Sequence, residues 1–173
     1  VVEGQLFEIL ARRARLEAER DDARTLTFSE ILLDDVTPEI QMLMDGQNRL
    51  FEARLETNQS AVEQLTQQRA QISSQLVGIA AQQEALSSQQ SLIAQELADQ
   101  QSLLDRGLAQ ASRVLALQRE EASLLGSVGE LTAQAAQAAE RRTELELQIL
   151  GLSSTRREDA ITQLRDLQFN ELE

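Results

Sequence analysis

The side chains best suited to chemistry in this sequence are carboxylates. Glu120–Glu121 and Glu144–Glu146 lie close enough in sequence to divide acid and base roles between them. Such work needs a cleft that pushes two pKa values apart, and the same pairs decorate any solvated helix face. The chain has no His, no Cys and no Tyr. That removes imidazole bases, thiol nucleophiles and most transition-metal ligand sets. The glycines of Gly126-Ser127-Val128-Gly129 sit inside a seven-residue repeat rather than after a strand, so they do not form a phosphate loop. No catalytic residue, cofactor site or metal site is expected, and the chain reads as something other than an enzyme.

Charge narrows the partners. The net charge is −13 over 173 residues, whereas nucleic-acid contacts need a basic patch. The basic pairs Arg12–Arg13, Arg141–Arg142 and Arg156–Arg157 each have acidic neighbours and read as solvated helix faces, so no nucleic-acid partner is expected. No run approaches 18 consecutive apolar residues, so direct membrane insertion is not expected either. The chain starts Val1-Val2-Glu3-Gly4 and enters helical sequence almost at once, a beginning expected of a segment cut from a longer protein.

Four aromatic residues, Phe7, Phe28, Phe51 and Phe169, are too few to fill a rounded core, while Gln, Ala and Leu are abundant. The pattern predicts an all-α fold: a long antiparallel two-helix coiled-coil hairpin with a short additional N-terminal helix. Residues 1–24 form that short helix, with Leu6, Leu10, Ala14 and Leu16 as its apolar positions, and residues 25–37 a connector. In the connector Phe28 packs on a neighbouring helix and Ile31-Leu32-Leu33 can make a helical turn. Thr37 caps the next helix and Pro38 takes its first position, where no N–H is needed.

Residues 38–106 then carry alternating three- and four-residue spacings: Phe51, Leu55, Asn58, Val62, Leu65, Arg69, Ile72, Leu76, Ile79, Gln83, Leu86, Gln90, Ile93, Leu97, Gln100 and Leu104. At 1.5 Å per residue this helix would be roughly 100 Å long. The tip spans 107–111, where Gly107 can take a left-handed conformation and end the helix. The return helix, 112–173, repeats the seam as Val114, Leu117, Glu121, Leu124, Val128, Leu131, Ala135, Ala138, Arg142, Leu145, Ile149 and Leu152. After Arg156 the register slips to Ala160, Leu164 and Leu167.

The arms match each other. In a hairpin closed near Leu108, facing residue numbers add to a constant; Ile93 with Leu124, Leu86 with Leu131, Ile72 with Leu145 and Leu65 with Leu152 all add to 217. Six seam positions are polar: Arg69, Gln83, Gln90, Gln100, Glu121 and Arg142. Their long side chains can reach water from a two-helix seam. They can equally penalise slipped registers or meet another subunit.

In order and spacing the chain resembles the periplasmic hairpin of membrane fusion proteins of the HlyD family, from type I secretion systems of the alkaline protease type. The resemblance rests on Ala14-Arg15-Leu16-Glu17-Ala18-Glu19-Arg20-Asp21, the Phe28 connector and Gly46-Gln47-Asn48-Arg49-Leu50-Phe51-Glu52-Ala53-Arg54. It continues through Leu103-Leu104-Asp105-Arg106-Gly107-Leu108, Leu115-Ala116-Leu117-Gln118-Arg119-Glu120 and Glu144-Leu145-Glu146-Leu147-Gln148-Ile149-Leu150. Relatives often have Gly where Asp22 stands and Pro where Ser29 stands.

The resemblance implies a periplasmic part of an inner-membrane-anchored adaptor. It would build a conduit with neighbouring adaptor subunits between an inner-membrane ABC transporter and a TolC-like outer-membrane channel. It also implies that the hairpin tip meets the channel, through Leu103, Leu104, Arg106, Gly107, Leu108, Gln110 and Ser112. Drug-efflux adaptors carry an Arg, a Leu and a hydroxyl residue there. Here Leu103 or Leu104 matches the Leu, Asp99 lies near the Arg position and Gln110 near the hydroxyl position, with Arg106 and Ser112 as substitutes. The alternative is a generic structural coiled-coil spacer or dimerisation module, which explains the heptads but not the short helix, connector and tip in this order.

Overall fold

The computed structural model describes residues 2–34 and 36–170; Asp35 of the connector, residues 171–173 of the expected return helix and the Phe169 side chain lie outside the described residues. The fold is all-α. Four helices follow one another: α1 (Val2–Arg20), α2 (Glu30–Asp34), α3 (Pro38–Asp105) and α4 (Ala111–Asn170).

Local chemistry sets the boundaries. Helix α1 ends before the expected Arg24, because Asp22 takes a left-handed φ of 53° and the Ala23 N–H turns back to the Ala18 carbonyl at 2.9 Å. Glycine adopts that conformation without strain, whereas an aspartate there bears its cost. Just before the turn, two hydrogen bonds of 2.7 Å from the Arg20 guanidinium hold the exposed Asp21 carboxyl below its ordinary pKa. At the start of α3 the Ile40 N–H donates to Thr37 Oγ1 at 3.3 Å, so Thr37 is the cap. Within the long helices many hydroxyls turn back onto the carbonyl four residues earlier, as Ser73 does to Arg69 at 3.0 Å and Thr132 to Val128 at 2.8 Å. A Ser- and Thr-rich sequence thereby stays helical with its polar groups bonded.

Contacts divide the chain into two compact units, Val1–Thr66 with Leu147–Glu173, and Gln67–Glu146. In the first unit α1 lies against both long helices. Ala11, Leu32, Ile40 and Met44 form one buried cluster, with Phe28 packed on it, and Leu16, Ala160 and Leu167 form another. The stripe that leaves the heptad register after Arg156 is therefore the one that packs on α1. Leu6 stays 42 % exposed and belongs to neither cluster. Small side chains at Ala11, Ala14 and Ala18, all buried, let α1 approach closely.

The same face carries a buried ionic network. Arg15 Nη1 donates to Glu19 Oε1 at 2.6 Å and Arg15 Nε to Gln47 Oε1 at 2.8 Å, while Arg54 Nη1 reaches Glu19 Oε2 at 3.4 Å. Arg15 and Glu19 are 3 % and 4 % exposed. Within α1 the buried Arg15 and Glu19 charges depend on each other, and Gln47 and the half-exposed Arg54 tie them to α3.

In the second unit the two arms run antiparallel from the turn. Ile79, Leu117 and Leu145 are buried. Ile72, Leu76, Leu86, Ile93, Leu97, Leu124, Val128 and Leu131 are half-buried, as are Leu65, Ile149 and Leu152 in the first unit. A two-helix coil closes over only one stripe of each helix, so half-burial is the rule for its seam. Polar seam residues bond across it: Gln83 Nε2 donates to Thr132 Oγ1 at 3.2 Å, and Arg69 lies 3.9 Å from Glu146. Both pairs of numbers add to 215, next to the constant read from the apolar positions. With cysteines at 72 and 145, oxidation should give an efficient crosslink within one chain, seen as a mobility shift on non-reducing gels. Equal crosslinking of 72 to 138, one heptad away, would mean a sliding register.

Candidate docking site at the helix reversal

The tip is built by a glycine. Gly107 has φ 73°, its N–H donates to the Leu104 carbonyl and the Leu108 N–H to the Leu103 carbonyl, both at 2.8 Å. This pair of bonds closes the last carbonyls of α3. An L side chain at position 107 would force the left-handed backbone against its own Cβ, so the sharp stop depends on glycine. Helix α4 restarts at Ala111, with the Arg113 N–H on the Gln110 carbonyl at 3.0 Å.

In a reversal of this type the residue after the glycine usually folds onto the last turn of the helix. Leu108 does not; it is 66 % exposed. Leu103 and Leu104 are half-buried, while Arg106, Gln110 and Ser112 are exposed. The Ser112 hydroxyl donates to Gln110 Oε1 at 3.5 Å, a long contact that leaves both side chains available. Below them Val114 and Leu117 close the seam at 4 % and 1 % exposure. Arg113 makes an ion pair with Glu96 across the two arms. Sequence reasoning missed that pair, although an Arg in the first turn of α4 and a Glu in the last turns of α3 were the available signal. The result is a rigid reversal that presents one aliphatic side chain beside one guanidinium.

Among the described residues no group of His, Cys, Asp or Glu could hold a metal ion, and no helix is long and apolar enough to cross a membrane. An arrangement of this kind can bind by shape and by a few polar contacts.

Known proteins share this architecture. The chain is 34% identical over 169 residues to the type I secretion system membrane fusion protein PrsE of Rhizobium meliloti (strain 1021), a match covering 97% of the chain and 38% of PrsE. It thus spans well under half the length of that relative. The crystal structure of the soluble domain of LipC, a membrane fusion protein of a type I secretion system, matches with a TM-score of 0.92 and 26% identity, over 96% of this chain and 79% of that one. The family described as AprE, long alpha-helical hairpin, matches residues 1–173, so the resemblance read from the sequence holds over the whole chain, and the chain belongs to that family.

Proposed function

We propose that the chain is the periplasmic hairpin of a type I secretion membrane fusion protein, forming part of a conduit between an inner-membrane ABC transporter and a TolC-like outer-membrane channel. Its role is mechanical rather than catalytic. Neighbouring adaptor subunits stand beside it, and energy for export comes from the transporter. The tip meets the channel through Leu108 and Arg106, with Leu103, Leu104, Gln110 and Ser112 around them and Gly107 holding the turn.

The observation that carries the tip assignment is Leu108, 66 % exposed at the reversal where its ordinary place is against α3. An aliphatic side chain held out on a rigid turn fits a pocket between helix ends of a partner. Arg106, exposed beside it, can donate several fixed hydrogen bonds to carbonyls or carboxylates there.

The test is Arg106→Asp and, separately, Leu108→Asp in a complete membrane fusion protein carrying this hairpin, scored for secretion. The expected outcome is a loss of secretion of tenfold or more, from roughly 1.4 kcal/mol or more of lost docking energy, with the helicity of the hairpin unchanged. Normal secretion by both variants would reject the tip as the docking site.

A further inference from the structure

One stretch of the second unit is almost stripped of charge. Residues 78–95 of α3 face residues 122–139 of α4 in the register that adds to 217, and the bond from Gln83 to Thr132 lies within it. These thirty-six residues include two charged side chains, Glu84 and Glu130, where the chain's average of 26 % would place about nine. The seam does not account for the loss. Most of the band is exposed, and its exterior is Gln, Ser, Ala and Gly, with Leu92 and Leu125 left 65 % and 59 % exposed. A helix face that meets only water carries charge, whereas the centre of a protein interface is depleted of it.

On each helix the side away from the seam keeps its own three-and-four spacing. On α3 it reads Gly78, Ala81, Ala85, Ser88, Leu92 and Gln95, all exposed. On α4 it reads Ala122, Gly126, Gly129, Ala133 and Ala136, again all exposed and with no side chain larger than methyl. Neither Glu84 nor Glu130 lies on these stripes. One stripe offers a knob, Leu92, and the other a shallow groove that lets a neighbouring helix come close.

Charge selects the partner. Each chain carries −13. Packed helices stand about 8–10 Å apart, roughly one Debye length in physiological salt, so the acidic faces of two copies repel. The band is where that repulsion is least, and every copy carries it at the same level on both helices. A basic partner would be drawn instead to the carboxylates outside it. With tips aligned, Leu92 of one copy comes level with Gly126 of the next, since those numbers add to 218. We propose that copies of this chain stand side by side with the outer face of α4 in one against the outer face of α3 in the next, Leu92 seated over Gly126 and Gly129. The proposal rests on the adaptor reading above and names the face by which neighbouring subunits meet. The band is about 26 Å long and one helix, about 10 Å, wide. That is well short of the ~800 Å² per partner of a standard interface, so the test uses the complete protein.

The chain contains no Cys, so introduced pairs are unambiguous. Leu92→Cys is placed in one copy of the complete membrane fusion protein and Gly126→Cys in a second, differently tagged. The two are co-expressed without the outer-membrane channel and oxidised. The expected result is a disulfide between 92 and 126 of different copies, at least tenfold above 92 with 92 or 126 with 126. An excess of either like pair, or equal yields of all three, would overturn the proposal. Ala133→Glu in both copies should lower the 92–126 yield at least tenfold with helicity unchanged, and an unchanged yield would also overturn it. A photo-reactive residue at position 92 during secretion should label a second copy; labelling of the channel or the exported protein alone would give the band to that partner instead and overturn the proposal. The channel plays no part in the disulfide experiment, so failed docking of the tip leaves its result intact. Secretion that continues without 92–126 crosslinks rejects this face and leaves the adaptor reading standing.

Discussion

Glu19→Ala should destabilise the chain by about 3–5 kcal/mol, the usual result of removing one partner of a buried ion pair. The Glu19 side chain is 2 % exposed and accepts from both Arg15 and Arg54. Without it the Arg15 guanidinium, 4 % exposed, keeps the Gln47 amide as its acceptor among the described residues. Replacing Arg15 and Glu19 together by Met should recover most of that loss, since two apolar side chains leave no stranded charge. Urea unfolding followed by circular dichroism reads both variants. A Glu19→Ala loss below about 1 kcal/mol would mean that water reaches Arg15 and that the network is not closed.

The second large effect belongs to Phe51. It is 2 % exposed and the largest of the fully buried side chains. Truncation to Ala removes the ring and leaves a cavity between helices that cannot fully collapse, for an expected loss of about 3–5 kcal/mol. Leu92→Ala is the matched control: that side chain is 65 % exposed, and its removal should change stability by no more than about 0.5 kcal/mol. Similar losses at the two positions would contradict the seam assignment.

The hairpin was legible because heptads repeat. From Phe51 to Leu104 each seam position repeats the same message, and Gly107 marks its end by the one backbone conformation that glycine favours. The first helix carries no such redundancy. Of its expected apolar positions Leu10, Ala14 and Leu16 pack inward and Leu6 stays 42 % exposed, while Ala11 and Ala18 with Arg15 and Glu19 complete the packing face. The available signal was the spacing of three alanines with an Arg–Glu pair four apart on the same face. Charged residues rarely read as core, so such a pair does not by itself announce a buried face. The end of α1 was misplaced for a related reason: Asp22 occupies a left-handed position that sequence usually announces with glycine. At the tip, sequence alone gave the residues but not that Leu108 stands away from α3, because that depends on where a single side chain points.

Docking of the tip is tested most directly by a photo-reactive amino acid placed at position 108 of the complete membrane fusion protein during secretion. A second copy of the experiment places it at Val77, which is also strongly exposed at 71 % but lies on the side of α3. The account expects crosslinks to the outer-membrane channel from position 108 and none from position 77. Crosslinks to the channel from 77 with none from 108 would contradict it.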